Sequence, residues 1–442
     1  MYSDAGRGRR ALRRARRRLR LARYWQATAD LDQAGRDAHH ALRLARSYRA
    51  APATLLADIA VTLARIELDR DEYAAGRAHL EYALSLLQPA ATSADRDRLL
   101  VWTLLGLGDC HRRAGRYREA TDALDRALHL ADAGQATEPR LLTAVLTLLG
   151  ITAKELGHYD RAAACYTRVG AIHRDHGATP ADAATLHHNL AGLDHARRRY
   201  PQAETHARRA VALRRRTPGA TPTDIAADQA VLASALAAQH RHDQARALLE
   251  QALAACRAAR PPRRYEIAVH LHNLADIEHT AGRADHAEHL YRQSLALKEE
   301  LLGPAHPEVG LVTNNLGTLL HQQHRHSEAA DCYRRALAIA ERTYPPDHPT
   351  TAAIQHHIHE LSPAALMYAS GSPRSWTKDQ RDNPPTTPRG SLRGRFGSAA
   401  QAFHPILHGW CVAGLGDPLR SDGQVAEETT FAVCPDVAEQ VG

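Results

Sequence analysis

The chain is poor in the residues that most mixed cores rely on. Among 442 residues there are three phenylalanines and two methionines, and Phe396, Phe403 and Phe431 all fall in the last 50 positions. Before that point an apolar interior has to come from Leu, Ala and scattered Tyr, which suits closely packed helices. Lysine occurs only as Lys154, Lys298 and Lys378 while arginine is abundant, a bias that points to a GC-rich, bacterial coding background. The six cysteines (110, 165, 256, 332, 411 and 434) are widely spaced with no CxxC pair, so they read as reduced thiols of a cytoplasmic protein. The longest apolar run, Leu141 to Ala153, falls short of the roughly 20 residues that a membrane span needs.

Chemical motifs are missing too. There is no glycine-rich phosphate loop, no HExxH and no GxSxG elbow. The runs His321, His324, His326 and His356, His357, His359 have no acidic or cysteine partner at ligand spacing, so they read as solvated histidines. No catalytic residue, metal site or cofactor is expected, and an enzyme is not the expected class.

What the chain does have is a period. His306-Pro307 and His348-Pro349 lie 42 residues apart, and Asn273, Leu274, Ala287 and Tyr291 recur as Asn315, Leu316, Ala329 and Tyr333. The alanine of the second half-repeat steps back through Ala287, Ala245, Ala203, Ala162, Ala120, Gly76 and Ala34, at spacings of 41 to 44. A phase held over 300 residues marks a solenoid. Within the His306 repeat, Leu316, Gly317 and Leu320 form one helical stripe and Ala329, Tyr333, Ala336 and Leu337 another. Small residues at Gly317, Ala329 and Ala336 let two backbones approach. The turn between them, Gln323-His324-Arg325, lacks the glycine that a neighbouring repeat supplies at Gly282.

This pattern resembles the tetratricopeptide repeat in its 42-residue, kinesin-light-chain form. The expected fold is an all-α solenoid, a right-handed superhelix of eight helix pairs over residues 5–361 with a capping helix at Thr350 to Leu361. The first pair begins with a helix at about Arg9 to Ala29, and the later repeats start near Thr54, Ala94, Glu138, Pro180, Pro222, Tyr265 and His306. Residues 362–442, with eight prolines and nine glycines and no repeat, are expected to form a disordered tail.

In each first helix, one face points away from the packing stripe. It carries His188, Asn189, Gly192 and His195 in repeat five, and His272, Asn273, Asp276 and His279 in repeat seven. Repeat eight has Asn314, Asn315, Thr318 and His321 there, and repeat six has Ala230, Val231, Ser234 and Ala237. The resemblance implies that this face lines a concave groove for an extended peptide or partner protein. Asn can donate to and accept from a peptide backbone at once, and Val231 with its neighbours would be a hydrophobic anchor site. The groove histidines are expected to titrate near 6.5, so affinity would shift between about pH 7.5 and 6, with acidic peptides favoured on protonation.

Charge is concentrated at one end. Residues 1–50 hold 14 Arg and 4 Asp, a net of +10 in a chain whose total is +8. Arg13, Arg14, Arg16 and Arg17 head this block. It reads first as a solvated cap face, with nucleic acid or an acidic partner as the alternative. The function expected is thus a non-enzymatic scaffold or adaptor that binds a partner in the groove. The alternative is a regulator whose arginine-rich repeat contacts nucleic acid. No membrane contact is expected.

Overall fold

A computed structural model describes residues 4–28, 30–70, 72–133 and 138–361; the expected tail at 362–442 lies outside the described residues. Seventeen α-helices and no strand are found among them. Eight antiparallel pairs run in order: α1 (Asp4–Ala27) with α2 (Leu31–Arg46), α3 (Ala53–Asp69) with α4 (Tyr73–Leu87), α5 (Ala94–Arg113) with α6 (Tyr117–Ala133), and α7 (Pro139–Glu155) with α8 (Tyr159–His176). The series continues with α9 (Pro180–Ala196) and α10 (Tyr200–Arg215), α11 (Pro222–Ala237) and α12 (His242–Ala258), α13 (Arg264–Thr280) and α14 (Ala284–Leu302), and α15 (Pro307–Gln322) and α16 (His326–Thr343). A last helix, α17 (Pro349–Glu360), covers the end of the stack.

The local chemistry explains these boundaries. Proline stands at the first helical position of α7, α9, α11, α15 and α17, where its missing N–H costs nothing. Thr179 with Asp182 and Thr221 with Asp224 form reciprocal capping boxes at α9 and α11. The two helices of a pair meet where small residues permit. A methyl group added at Gly108, Gly150 or Gly317 would come within 2.6 Å of Leu124, 2.5 Å of Tyr166 and 2.9 Å of Tyr333 respectively. Each partner lies 16 residues later, so one rule sets the pair geometry along the stack.

The turns inside the pairs share a conformation. Gly115, Gly157, Arg198, His240, Gly282 and His324 all have positive φ, between 59° and 78°. The repeat that lacks the turn glycine therefore makes the same left-handed turn with His324 in its place. A side chain there costs roughly 1–2 kcal/mol relative to glycine.

The solenoid closes on itself. His306 and His348 cap α15 and α17 by accepting, at Nδ1, the backbone N–H of Glu308 (3.2 Å) and of Thr350 (3.1 Å). Their Nε2 atoms reach back 193 residues, to the carbonyls of Arg113 at 2.9 Å and Glu155 at 3.0 Å. Those carbonyls sit at the C-terminal ends of α5 and α7, where a helix leaves acceptors unpaired. Between four and five repeats thus complete one circuit. Tyr344 stacks on His348 (4.1 Å, 8°) and on Tyr117 (5.9 Å, 20°), so aromatic rings fill the seam. Tyr117 and Leu156 accordingly share a buried core with the late repeats.

Candidate functional site

The residues expected to line a groove are brought together on the first-helix layer of repeats five to eight. Their availability differs from the expectation of an open trough. His188, Asn189, His195, Val231, Ser234, His272, Asn273, Asp276, Asn314 and Asn315 are buried, and His279, Thr318 and His321 are half-buried. The superhelix is wound so tightly that successive first helices press these faces against each other. Their polar groups are then used to join one repeat to the next.

The resulting ladder can be followed rung by rung. His188 Nδ1 lies 2.8 Å from Asp228, whose other oxygen accepts from Arg214 Nε at 3.0 Å. Tyr265 donates to Glu308 at 2.6 Å, and Lys298 closes on the same carboxylate at 3.0 Å. Asn315 donates both amide hydrogens, to His272 Nε2 at 3.1 Å and to Asp276 at 2.9 Å. Asp276 also accepts from Tyr291 at 2.5 Å. His279 pairs with Gln322 at 2.8 Å, and Asn314 accepts from His357 at 3.2 Å. Asn189 spends its amide on Thr185 of its own helix, at 3.0 Å.

Asn273 Nδ2, buried in this layer, has no hydrogen-bond partner, and Asp276 Oδ2 accepts no hydrogen bond but lies 3.8 Å from His272 Nε2. Asn273 and Asp276 lie one helical turn apart on α13. Burial pushes the Asp276 carboxyl up to about 7, against the opposing hydrogen bonds of Tyr291 and Asn315 and the charge of Lys298. At neutral pH its protonated and charged forms therefore coexist. Burial drives His279 and His321 the other way, below the ordinary histidine range, so these two do not titrate near 6.5 as expected. In apolar settings the neutral imidazole is favoured.

The basic end is laid out differently. Arg13, Arg14, Arg16 and Arg17 are exposed on α1. Arg18 and Arg23, which face the neighbouring helices, are neutralised by Asp37 and Asp58. An open concavity of about 680 Å³ beside them is lined by Arg18, Arg36, Arg43, Arg70, His39 and His40, with Asp32 and Asp37. The cysteines of the helix layers are held as thiols. Burial pushes Cys110 and Cys256 up to about 12 and Cys332 up to about 11. No helix among the described residues is long and apolar enough to cross a membrane.

Sequence reasoning missed the seam. The His-Pro pairs were visible as repeat markers, but their partners at Arg113 and Glu155 were not. A signal existed in the recurrence of a cap residue, histidine, that helix N-termini do not usually prefer.

A family model described as tetratricopeptide repeat matches residues 182–258, 266–342 and 309–358, and a second of the same description matches residues 103–136. No curated protein matches the sequence. Among solved structures, NprR in complex with its cognate peptide NprX is similar over 80% of this chain and 97% of its own, at 11% identity and a TM-score of 0.59. A Rap protein complexed with Competence and Sporulation Factor covers 71% of this chain and 85% of its own, at 14% identity and a TM-score of 0.54. A Podospora anserina protein described as a kinesin light chain with nearly identical TPR-like repeats is 23% identical over 44% of this chain and 91% of its own, with a TM-score of 0.35. At these identities the likeness is one of fold. Period, turn geometry, helix pairing and family match agree: the chain is a tetratricopeptide-repeat protein, built as an all-α solenoid.

Proposed function

We propose that this solenoid is a non-enzymatic interaction module that holds an extended peptide, or an extended segment of a partner protein, along the first-helix layer of repeats five to eight. The observation that carries the reading is the unspent amide of Asn273, whose Nδ2 has no hydrogen-bond partner, one turn from the Asp276 carboxylate on α13. A donor and an acceptor one turn apart match the alternating N–H and C=O of an extended backbone. Leaving the Asn273 amide unpaired in a buried layer costs free energy that a bound backbone would recover. NprR was solved in complex with its cognate peptide NprX and a Rap protein with Competence and Sporulation Factor, which supports placing a peptide on a scaffold of this fold. Ala230, Val231 and Ala237 on α11 form the buried apolar stretch that would anchor the peptide.

The test is selection from a displayed random-peptide library on the full chain at pH 7.5, followed by Asn273→Ala. That substitution removes the one groove asparagine amide with no partner inside the protein, so the fold should be spared. Selected peptides should bind roughly 5- to 10-fold more weakly, as expected for one lost hydrogen bond of about 1 kcal/mol. If no peptide is enriched, or if enriched peptides bind the variant at full affinity, the inner layer is not the binding surface.

A further inference from the structure

The exposed half of α1 is unlike any other surface among the described residues. Arg9, Arg13, Arg14, Arg16, Arg17 and Arg20 are all exposed, and no ion pair or hydrogen bond engages any of them among the described residues. The fold discriminates between arginines on this helix. Arg18 and Arg23, turned toward α2 and α3, are matched with Asp37 and Asp58, whereas Arg9, Arg13, Arg14, Arg16, Arg17 and Arg20 have no ion pair among the described residues. A cap face that only needs solvation has no reason to exclude acidic residues, because mixed charge solubilises as well without self-repulsion.

At 100° per residue, Arg13, Arg17, Arg20 and Tyr24 form the outermost stripe, opposite the buried Ala15, Leu19 and Ala22. Arg9 and Arg16 flank this stripe on one side and Arg14 on the other. Tyr24, 57% exposed, is one of only two exposed large hydrophobic residues among those described. The apolar face of α1 is already buried against its neighbours, which removes the insertion that an amphipathic helix needs at a lipid surface.

We infer that α1 docks in the major groove of duplex DNA and binds its phosphate backbone without reading sequence. This surface is separate from the inner peptide layer. An α-helix with its side chains is about 10–12 Å across, and the major groove is about 12 Å wide. A helix seated there has a phosphate wall on each side. Arg9 and Arg16 face one wall and Arg14 the other, and Arg13, Arg17 and Arg20, on the stripe between them, have side chains long enough to swing out to the phosphates of either wall. Guanidinium groups suit this role because their planar fork can grip two phosphate oxygens at once. The major groove of duplex RNA is deep and narrow and does not admit a helix, so the geometry selects DNA.

The experiment is fluorescence anisotropy of the full chain with a labelled 20-base-pair DNA of arbitrary sequence, between 50 and 200 mM salt. Six phosphate contacts predict an affinity loss of about 1,000-fold across that range, since the log–log slope is about −0.9 per phosphate. The fourfold variant R13Q/R14Q/R16Q/R17Q should make the slope shallower by roughly three to four. The matching Arg→Lys variant should keep most of it. A 20-base-pair RNA duplex should bind at least tenfold more weakly than the DNA. Absence of DNA binding, equal affinity for the RNA, tighter capture of phosphatidylserine vesicles or poly-glutamate, or an unchanged slope in the Gln variant would each overturn the inference.

Discussion

Replacing His306 and His348 by Asn should open the ring without unfolding any helix. Asn is among the best N-cap residues, so the caps of α15 and α17 survive. It is too short to reach the carbonyls of Arg113 and Glu155, and it cannot stack on Tyr344 as His348 does. Each lost seam hydrogen bond is worth about 0.5–1.5 kcal/mol, and the lost stack about as much again. The double variant H306N/H348N should therefore weaken closure by about 2–4 kcal/mol. Hydrogen–deuterium exchange reads this directly, at the starts of α15 and α17 and at the ends of α5 and α7. Protection there should fall by one and a half to three orders of magnitude while the centres of α9 to α14 stay protected.

The same seam predicts a pH dependence. In both histidines Nδ1 accepts and Nε2 donates to a carbonyl, so the imidazole must be neutral. Burial lowers both, His348 to about 4, with Asp347 opposing and His158 adding to the shift. A depressed histidine stabilises the folded form above its unfolded value near 6.5, and that contribution is lost as pH falls toward 4. For His348 the loss at pH 5 is about 2 kcal/mol. Asp276 acts in the opposite sense, because its raised carboxyl stabilises the fold at acid pH and loses that contribution between about 4 and 7. The difference between wild type and H348N, taken at each pH, cancels Asp276. If that difference does not change between pH 7 and 5, or if exchange at the seam is unaltered in the double variant, the closure reasoning fails.

Two further outcomes follow from the turns and the ladder. Gly115→Ala should cost several times more than Gly282→Ala in chemical denaturation. Both have φ above 70°, but a methyl at Gly115 would meet Pro307 Cδ at 2.3 Å whereas Gly282 has open space around it. For Gly282→Ala the expected loss is about 1–2 kcal/mol, from the left-handed backbone alone. Asp228→Ala should cost about 3–5 kcal/mol, because it leaves the buried Arg214 without its carboxylate and His188 without a partner. A loss below 1 kcal/mol would mean that water takes over the role of the carboxylate.

The helix pairs were legible because they depend on neighbours in sequence. Leu316, Gly317 and Tyr333 announce their contact through a spacing that any one repeat displays. The helix starts at Pro180, Pro222 and Pro307 fall where proline and its preceding cap put them. The state of the inner layer was not legible, since it depends on the angle between successive repeats. A few degrees per repeat decide whether Asn315 meets His272 and Asp276 or faces a wide groove, and no single residue encodes that angle. The pairing of His348 with Glu155 is harder still, because 193 residues of accumulated rotation separate them. Even the turn glycines carry two meanings. Gly115 and Gly157 lie under Pro307 and Pro349 of the closing repeats, whereas Arg198, His240 and His324 make the same turn elsewhere with full side chains.

Closure and binding are linked if the inner layer is where a peptide goes. Asn273 and Asp276 are buried, so a peptide can reach them only in molecules whose repeats have moved apart, and opening the seam is one way to free that movement. The apparent dissociation constant is then the intrinsic one divided by the open fraction. Weakening the seam raises the open fraction and should tighten binding, even though the variant has lost contacts. A shift of about 2 kcal/mol corresponds to roughly 30-fold, until the open form dominates and the gain levels off. Library-selected peptides should therefore bind H306N/H348N more tightly than wild type, with most of the gain in the association rate. Gly282→Ala strains a turn away from the seam and should leave affinity unchanged. If the double variant binds those peptides no better than wild type, access to Asn273 does not run through the seam, and the peptide must enter from the ends of the stack.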